Sequence, residues 1–245
     1  MTRFAIIAAM AGELKPLVRG WQHESCNGVD LWRWRFLDEK GDPCEWIAGC
    51  AGAGVEAATR AFAEVEKDGP ISQVISTGWT GALREECLPG QVYRVSGVLD
   101  ARTGERFPVA APAGECWLVT CSKVADECEK QRLATTYSAA LVDMEASAVA
   151  RLAAMRGIPF DCIKGVSDGF RDKLPDFNRF ISANGQFHLA RFILFVLIRP
   201  WHWPRLMRMG ENSRKAAGNL AVNLLDYLDE SSSIRKRNGY PNLKR

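Results

Sequence analysis

Apolar residues occur along the first two thirds of the chain in short runs, and few of these runs alternate with polar residues. Runs rich in β-branched residues predict seven strands, at residues 4–10, 45–49, 73–77, 91–98, 117–120, 140–142 and 160–166. A strand that is apolar on both faces is typical of a sheet covered by helices on both sides. Stretches between and after the strands predict helices at residues 54–67, 124–135, 146–156 and 212–229. The order of elements indicates an α/β fold with three layers.

Composition restricts the class of protein. The chain has 245 residues, of which 47% are hydrophobic and 25% charged, as is usual for a soluble globular protein. We expect one domain at residues 1–229 and a disordered basic tail at residues 230–245. The net charge of +3 is too small to indicate a nucleic-acid partner. Residues 100–106, DARTGER, are typical of a hairpin tip.

The cysteines and the first residues favour a cytoplasmic location. No two of the eight cysteines form a C-x-x-C pair, and several lie within apolar runs. This distribution favours free thiols in a reducing compartment over disulfides or a metal site. The apolar residues 4–10 predict a first strand and not a signal peptide. We therefore expect no metal ion and no cofactor.

Two glycine motifs suggest familiar functions that their surroundings do not support. AGAGVEAA, residues 51–58, contains the G-x-G-x-x-A pattern of dinucleotide sites, but residues 71–83 lack the acid that would bind a ribose. A tight strand-to-helix turn is the favoured interpretation. GVSDG, residues 165–169, matches the nucleophile elbow of serine hydrolases, which would make Ser167 a nucleophile. Pro175 disfavours the helix that should follow, and His188 comes too early for the catalytic base.

Polar side chains follow several predicted strands at the point where each strand ends. In an open α/β sheet, ligands bind outside the carboxyl ends of the strands, so we expect these side chains to share one crevice. Three carboxylates from distant segments would then converge there. The side chains are those of Glu13, Ser76, Thr77, Thr80, Met144, Glu145, Ser167 and Asp168, with Gly78 between them.

These motifs, in this order, resemble the nucleoside phosphorylase superfamily. The similarity rests on AAMAGEL, AGAGVEAA, STGWTGAL with LPGQV, VDMEAS and KGVSDG, and covers roughly residues 4–172. Within the superfamily the chain is most similar to the methylthioadenosine/S-adenosylhomocysteine nucleosidases. The resemblance implies a mixed central sheet flanked by helices and cleavage of the N-glycosidic bond between a purine and ribose.

The resemblance also implies a role for each acidic residue. Glu145 would accept hydrogen bonds from the ribose 2′ and 3′ hydroxyls, and Met144 would pack beneath the sugar. Asp168, supported by Ser167, would donate a proton to purine N7, and Glu13 would take a proton from the attacking water. Further substrate contacts are expected from residues of the same motifs, namely Ser76, Thr77, Gly78, Thr80 and Lys164.

Two departures from the nucleosidase pattern lie close to these motifs. Trp79 stands where those enzymes usually have serine, and Lys164 stands where they have arginine. The nucleophile is expected to be water, because a carboxylate at Glu13 would repel phosphate. Arg102, Arg106 and Lys164 are the cations that could offset this repulsion.

Three segments resemble the hopanoid-associated phosphorylases, which act on an adenosyl group joined to a lipid. They are DARTGERF at residues 100–107, TCSKVADECEKQRL at residues 120–133 and the C-terminal region rich in arginine and tryptophan.

Residues 187–210 combine apolar residues, tryptophan and arginine without an acid, which predicts a segment on the inner face of the membrane. Its unbroken apolar core, residues 192–198, is too short to span a bilayer. For residues 187–198 alone, a final core helix that ends before Pro200 is the favoured interpretation. We also expect a homo-oligomer. The alternative function is a non-catalytic nucleoside-sensing or membrane-surface protein.

Overall fold

The computed structural model describes residues 1–38, 40–110, 116–172, 176–180, 182 and 203–232, with side chains up to Leu228. Twelve strands in this part of the chain form one sheet. They are β1 (Thr2–Ala8), β2 (Gln22–Cys26), β3 (Val29–Leu37), β4 (Pro43–Cys50), β5 (Gln73–Ser76), β6 (Trp79–Ala82), β7 (Val92–Arg94), β8 (Gly97–Asp100), β9 (Arg106–Pro108), β10 (Trp117–Thr120), β11 (Leu141–Asp143) and β12 (Phe160–Asp168).

Five α-helices lie in the described part of the chain. They are α1 (Ala11–Leu14), α2 (Val55–Glu66), α3 (Glu127–Tyr137), α4 (Ala146–Arg156) and α5 (Trp203–Ser232), and a short 3₁₀ helix covers Phe177–Phe180. None of the helices in the described ranges is long and apolar enough to cross a membrane. The helices predicted at residues 54–67, 146–156 and 212–229 are confirmed by α2, α4 and α5. The helix predicted from residue 124 begins at Glu127, with Asp126 as its cap.

The sheet is mixed, and its order is β2-β3-β4-β1-β5-β12-β6-β11-β10-β8-β9, with β7 paired to β12. Strands β4, β1, β5 and β12 are parallel neighbours, whereas β6 and β11 are antiparallel. The central strand β12 pairs through its first residues with β5 and through its last residues with β6. It therefore joins the two halves of the sheet and ends between them.

Helices cover both faces of this sheet. Along β1, Ala5 and Ile7 belong to an apolar cluster that contains residues of α2 and α4. Phe4 and Ile6 belong to a second cluster that contains residues of α1 and α5. Successive residues of a strand point to opposite faces, so a strand buried on both faces must be apolar throughout. The predicted three-layer α/β/α architecture with a mixed sheet is confirmed.

Four strands were not predicted, because polar or short segments gave no apolar run. Strand β2 is exposed along its length, and β3 alternates tryptophan with arginine at Trp32–Arg35.

The strand predicted at residues 91–98 is two strands, β7 and β8, which pair with different neighbours. The hairpin tip predicted at residues 100–106 is confirmed, because β8 and β9 pair on either side of it. Strands β6 and β9 are only four and three residues long.

A buried ion pair stabilises the strand ends remote from the candidate site. Glu45 is fully buried and accepts hydrogen bonds from Arg3 Nε at 2.7 Å and Arg35 Nε at 2.8 Å. Arg3 is itself 3% exposed. Removal of one member of such a pair leaves a buried charge without compensation, which is much more destabilising than loss of a surface pair.

We expect Glu45→Gln to lower the free energy of unfolding by about 3 kcal/mol, measured by urea denaturation. Glu24→Gln is the matched control, because Glu24 pairs with Arg33 at 2.8 Å but its side chain is 53% exposed. The control should change stability by no more than about 1 kcal/mol. Equal effects of the two substitutions would contradict the importance of the buried pair.

Candidate active site

A cavity of about 250 Å³ lies where β1, β11 and β12 end. Six of the predicted residues line it, namely Glu13, Thr80, Met144, Glu145, Ser167 and Asp168. Three carboxylates that are far apart in the sequence therefore face one space. Among the described residues that complete the wall are Trp79, Lys123, Lys130, Phe177, Met209 and Ser213, together with apolar and small residues.

Glu13 is held by backbone amides. Its Oε2 accepts hydrogen bonds from the N–H groups of Ala9 and Met10, both at 2.9 Å, and its Oε1 accepts one from the N–H of Trp79 at 2.8 Å. Burial raises the pKa of this carboxyl, and the three amides together with the charge of Lys164 oppose the rise. The turn after β1 and the start of β6 thus fix both oxygens of one acid.

Gly78 is required for this arrangement. Its φ of +115° is unfavourable for residues with a side chain, and a Cβ at this position would lie 2.7 Å from Glu13 Oε2. The backbone can therefore approach the carboxylate only without a side chain. Gly78 does not line the cavity, and its close approach to the carboxylate helps to position Glu13, whereas its contact with substrate stays a prediction.

Glu145 caps the start of α4 and contacts the glycine-rich turn. Its Oε1 accepts a hydrogen bond from the N–H of Gly54 at 2.7 Å, and its Oε2 accepts one from the N–H of Met144 at 3.2 Å. Burial raises the pKa of Glu145 to about 8, with a further contribution from Asp143 that Lys164 partly offsets. In a dinucleotide site, the amide of Gly54 would bind a phosphate, but here it binds the carboxylate of Glu145. This contact agrees with the interpretation of AGAGVEAA as a strand-to-helix turn.

Lys164 lies behind the cavity wall and forms an ion pair with Asp143. Its Nζ is 2.9 Å from Asp143 Oδ2 and donates to the carbonyl of Thr77 at 2.8 Å, and both charged side chains are at most 1% exposed. Burial lowers the pKa of Lys164, but Asp143 and other acidic neighbours outweigh it and hold the pKa above its usual value. Lys164 therefore carries a positive charge close to the buried acids.

Ser76, Thr77 and Lys164 were also predicted to contact the substrate, and none of the three is among the residues that line the cavity. The hydroxyl of Thr77 donates to the carbonyl of Ile163 at 2.9 Å, and Ser76 Oγ is buried without a hydrogen-bond partner among the described residues. Strand β5, which carries Ser76, lies between β1 and β12, the two strands that end at the cavity.

Ser167 and Asp168 both line the cavity although they are adjacent on one strand. The pairing of β12 with β6 shifts register between Val166 and Asp168, which makes Ser167 the additional residue of a bulge. A bulge redirects side chains that would otherwise point to opposite faces. The Ser167 hydroxyl donates its single proton to Asp168 Oδ1 at 2.6 Å, and its oxygen lies 3.2 Å from the carbonyl oxygen of Thr80.

Lys130 is a residue of this site that the sequence did not reveal. Its Nζ lies 2.5 Å from Asp168 Oδ2 and 2.6 Å from the carbonyl of Gly169, and the residue is 1% exposed. The surrounding sequence, ECEKQRLATTY, is typical of a solvated helix. A lysine in such a helix is indistinguishable by pattern from its exposed neighbours, so no signal in the sequence could have identified it.

Trp79, which replaces the expected serine, forms part of the cavity wall. Its indole Nε1 donates to the carbonyl of Ser213 at 3.0 Å, which connects β6 to α5. Gly12 lies against the ring, since a Cβ there would be 3.3 Å from Trp79 Cη2. The large side chain thus occupies space beside Glu13 that a serine would leave open.

A second cavity of about 630 Å³ adjoins the first. The two share Trp79, Phe177, Met209 and Ser213, and the second is also lined by Leu206 of α5. Its polar residues include Lys15, Arg19 and Arg214, and none of its described lining residues is acidic. An elongated apolar group could extend from the first cavity into this one.

Within the described ranges, no histidine lies near Ser167 to act as the base that a serine hydrolase needs. His23 pairs with Asp30 at 3.2 Å on the β2–β3 hairpin at the far edge of the sheet. His188 and His202 lie outside the described residues. Within the described part of the chain, no group of histidine, cysteine, aspartate and glutamate is arranged to hold a metal ion.

Comparison with known proteins agrees with the fold. Residues 116–190 match the family model of the phosphorylase superfamily. The chain is similar to 5′-methylthioadenosine/S-adenosylhomocysteine nucleosidase from Helicobacter pylori, with 16% identity, a TM-score of 0.66 and coverage of 94% of this chain and 99% of that one. No curated protein matches the chain significantly.

Two further solved structures have the same architecture. The nucleosidase of the same type from Neisseria meningitidis has 16% identity, a TM-score of 0.67 and coverage of 94% and 100% of the two chains. Futalosine hydrolase from Helicobacter pylori has 14% identity, a TM-score of 0.64 and coverage of 94% and 98%. The chain therefore has the fold of the phosphorylase superfamily and carries the superfamily's sequence signature at residues 116–190, as its motifs predicted.

Proposed function

We propose that the protein cleaves the N-glycosidic bond of an adenosine derivative and releases adenine. The observation that carries this proposal is the convergence of Glu13, Glu145 and Asp168 on one cavity of about 250 Å³. Cleavage of this bond needs a base for the nucleophile, an acceptor for the ribose hydroxyls and an acid for the departing purine. The solved structures named above include nucleosidases, which supports the same reaction class here.

Glu13 is suited to act as the base. Its raised pKa makes it a better proton acceptor than an exposed glutamate, and three amides keep its oxygens in place. In our proposal it takes a proton from the water that attacks ribose C1′. The rigid position supplies orientation that would otherwise cost entropy in the transition state.

Glu145 is suited to bind the ribose. A carboxylate accepts hydrogen bonds from two neighbouring hydroxyls, and its negative charge favours the positive charge that develops on the sugar. Met144 lines the cavity beside it and would pack beneath the sugar. Because Gly54 and Met144 donate to the same carboxylate, its position is defined before the nucleoside binds.

Asp168 would deliver a proton to purine N7. Adenine departs slowly as an anion and readily once protonated, and a positioned acid accelerates such steps by about 10²–10⁴-fold. Ser167 holds one oxygen of Asp168 and is engaged as a donor, which supports a positioning role and not that of a nucleophile.

Water is favoured over phosphate as the nucleophile. Lys164 is engaged by Asp143 and Thr77, and Arg106 packs on the ring of Trp117 at 5.4 Å. Arg102 lines a different cavity, of about 660 Å³. None of the three expected cations therefore faces the space beside Glu13, where an incoming phosphate would need positive charge.

The direct test is adenine release from adenosine, 5′-methylthioadenosine and S-adenosylhomocysteine, with and without phosphate, followed by chromatography. We expect release that does not depend on phosphate, and a loss of about 10²-fold or more in Asp168→Asn. Leu88→Asn, a change at an exposed site, is the control and should leave the rate unaltered. Tight nucleoside binding without any cleavage would instead support the nucleoside-sensing alternative.

The pKa of Glu145 leads to a prediction about affinity. At pH 6 the carboxyl with a pKa of about 8 is mostly protonated, and it becomes ionised as the pH rises to 9. The ionised form accepts hydrogen bonds from the two ribose hydroxyls more strongly than the protonated form does. We expect the affinity for an uncleavable adenosine C-nucleoside to increase over this interval, measured by calorimetry.

The controls for this prediction separate Glu145 from other groups. In Glu145→Gln the increase in affinity between pH 6 and pH 9 should disappear. The 2′,3′-dideoxy form of the same ligand should bind with little dependence on pH in both proteins. An unchanged pH dependence in Glu145→Gln would exclude Glu145 as the ribose acceptor.

We further propose that the substrate carries an apolar 5′ substituent, up to a lipid. The second cavity supports this proposal, because it adjoins the first and is lined by Trp79, Phe177, Leu206 and Met209. Each methylene group buried there would contribute about 0.8 kcal/mol. Substrates with longer 5′ alkyl chains should therefore bind more tightly than 5′-methylthioadenosine.

Leu206→Glu should reduce kcat/KM for 5′-octylthioadenosine at least tenfold and leave 5′-methylthioadenosine within threefold, since only the long chain reaches Leu206. Met207→Glu is the matched control on the same helix, because Met207 is 68% exposed and does not line the cavity. Equal losses on the two substrates in Leu206→Glu would argue against an apolar 5′ subsite.

Contact with the cytoplasmic face of a membrane and assembly into a homo-oligomer remain proposals. Most of the predicted membrane segment, residues 187–202, lies outside the described residues, as does the basic tail after residue 232. Its last part forms the first turns of α5, where Trp203 is 45% exposed. Co-sedimentation with anionic vesicles at low and high salt tests the first proposal, and light scattering tests the second.

A further inference from the structure

Lys130 is buried within a helix whose other charged residues lie near or at the surface. Among the residues of α3, only Lys130 and Leu133 are buried, and Lys130 is 1% exposed. Removal of an ammonium group from water costs several kcal/mol, so such a group is retained where a close partner compensates for it. The partner of Lys130 is the residue proposed as the acid of the reaction.

The contacts of Lys130 are confined to the end of β12. Its Nζ is 2.5 Å from Asp168 Oδ2 and 2.6 Å from the carbonyl of Gly169, and the side chain belongs to the cavity wall. Gly81 allows this approach, since a Cβ there would lie 3.0 Å from Asp168 Oδ2 and 3.3 Å from Lys130 Cε. Substitution of this glycine would therefore push the pair apart.

Both oxygens of Asp168 act as hydrogen-bond acceptors in this arrangement. Ser167 Oγ donates to Oδ1 at 2.6 Å, and the ammonium of Lys130 donates to Oδ2. A carboxylate that accepts at both oxygens has no proton of its own to give to a purine. Lys130 is the ionised group nearest to Asp168 that holds a proton and can release it.

We propose that Lys130 supplies, through Asp168, the proton that the departing adenine takes at N7. This inference rests on the proposed nucleosidase function. As the C1′–N9 bond breaks, its electron pair moves into the purine ring. Lys130 Nζ gives a proton to Asp168 Oδ2, and Asp168 passes that proton from the same oxygen to N7. The carboxylate is thereby restored, and Lys130, left as a neutral amine, recovers its proton from solvent.

Leaving groups of different basicity distinguish this role from a structural one. Adenine needs a proton to depart, whereas 4-nitrophenolate departs as a stable anion. We expect Lys130→Met to lower kcat for adenine release from 5′-methylthioadenosine by about 10²-fold or more. The same variant should retain, within about threefold, the hydrolysis of the 4-nitrophenyl riboside with the same 5′ group. Asp168→Asn should show the same pattern as Lys130→Met, with slow adenine release and retained hydrolysis of the 4-nitrophenyl riboside.

Lys130→Arg separates proton supply from charge alone. Arginine preserves the positive charge, but a guanidinium does not give up its proton in a protein. We therefore expect the arginine variant to leave adenine release as slow as in Lys130→Met. Lys67→Met is the matched control, since Lys67 pairs only with Glu64 among the described residues and its side chain is 54% exposed. It should be fully active on both substrates.

The outcomes are distinct. Equal loss of both activities in a folded Lys130→Met, or full recovery in Lys130→Arg, would overturn the inference while leaving the nucleosidase intact. A wild-type protein that cleaves neither substrate would instead reject the proposed function.

If Lys130→Met does not fold, the more conservative Lys130→Gln allows the same comparison of the two leaving groups. Equal loss on both substrates in that folded variant would overturn the inference.

Discussion

The burial of negative charge at the carboxyl ends of the strands is the constraint on which the site depends. Glu13, Glu145 and Asp168 are each less than 10% exposed, and an isolated carboxylate removed from water is strongly unfavourable. Each acid is therefore compensated locally. Backbone amides donate to Glu13 and Glu145, and a buried lysine donates to Asp168. The surrounding strands and turns bring these donors within 3.2 Å of the carboxylate oxygens.

The two buried lysines divide the compensation between them. Lys164 forms an ion pair with Asp143, a residue of the cavity wall, and the charge of Lys164 also lowers the pKa values of Glu13 and Glu145. Lys130 contacts Asp168 directly. One cation therefore acts on Glu13 and Glu145 from a distance, whereas the other contacts Asp168 directly.

Close packing of backbone and side chains makes these contacts possible. The bulge in β12 turns Ser167 and Asp168 towards one cavity, and glycines at positions 78 and 81 leave room for Glu13 and for the Lys130–Asp168 pair. The alanine-rich helix α4 packs with α2 in one apolar cluster, which fixes Glu145 at its start. The position of each acid is thus a property of the sheet and its helices, and not of a loop.

The sequence by itself determined the fold class and the three acids, because apolar runs and strand-end polar residues are local features of the chain. It could not determine which polar residues face the cavity. Ser76, Thr77 and Lys164 were expected there and are not among the residues that line it, whereas Lys130 was not expected and contacts Asp168. Which side of a strand or helix faces a cavity depends on register, bulges and packing between segments distant in the chain. Only the tertiary structure decided these points, because a buried lysine and an exposed one have the same pattern in a polar helix.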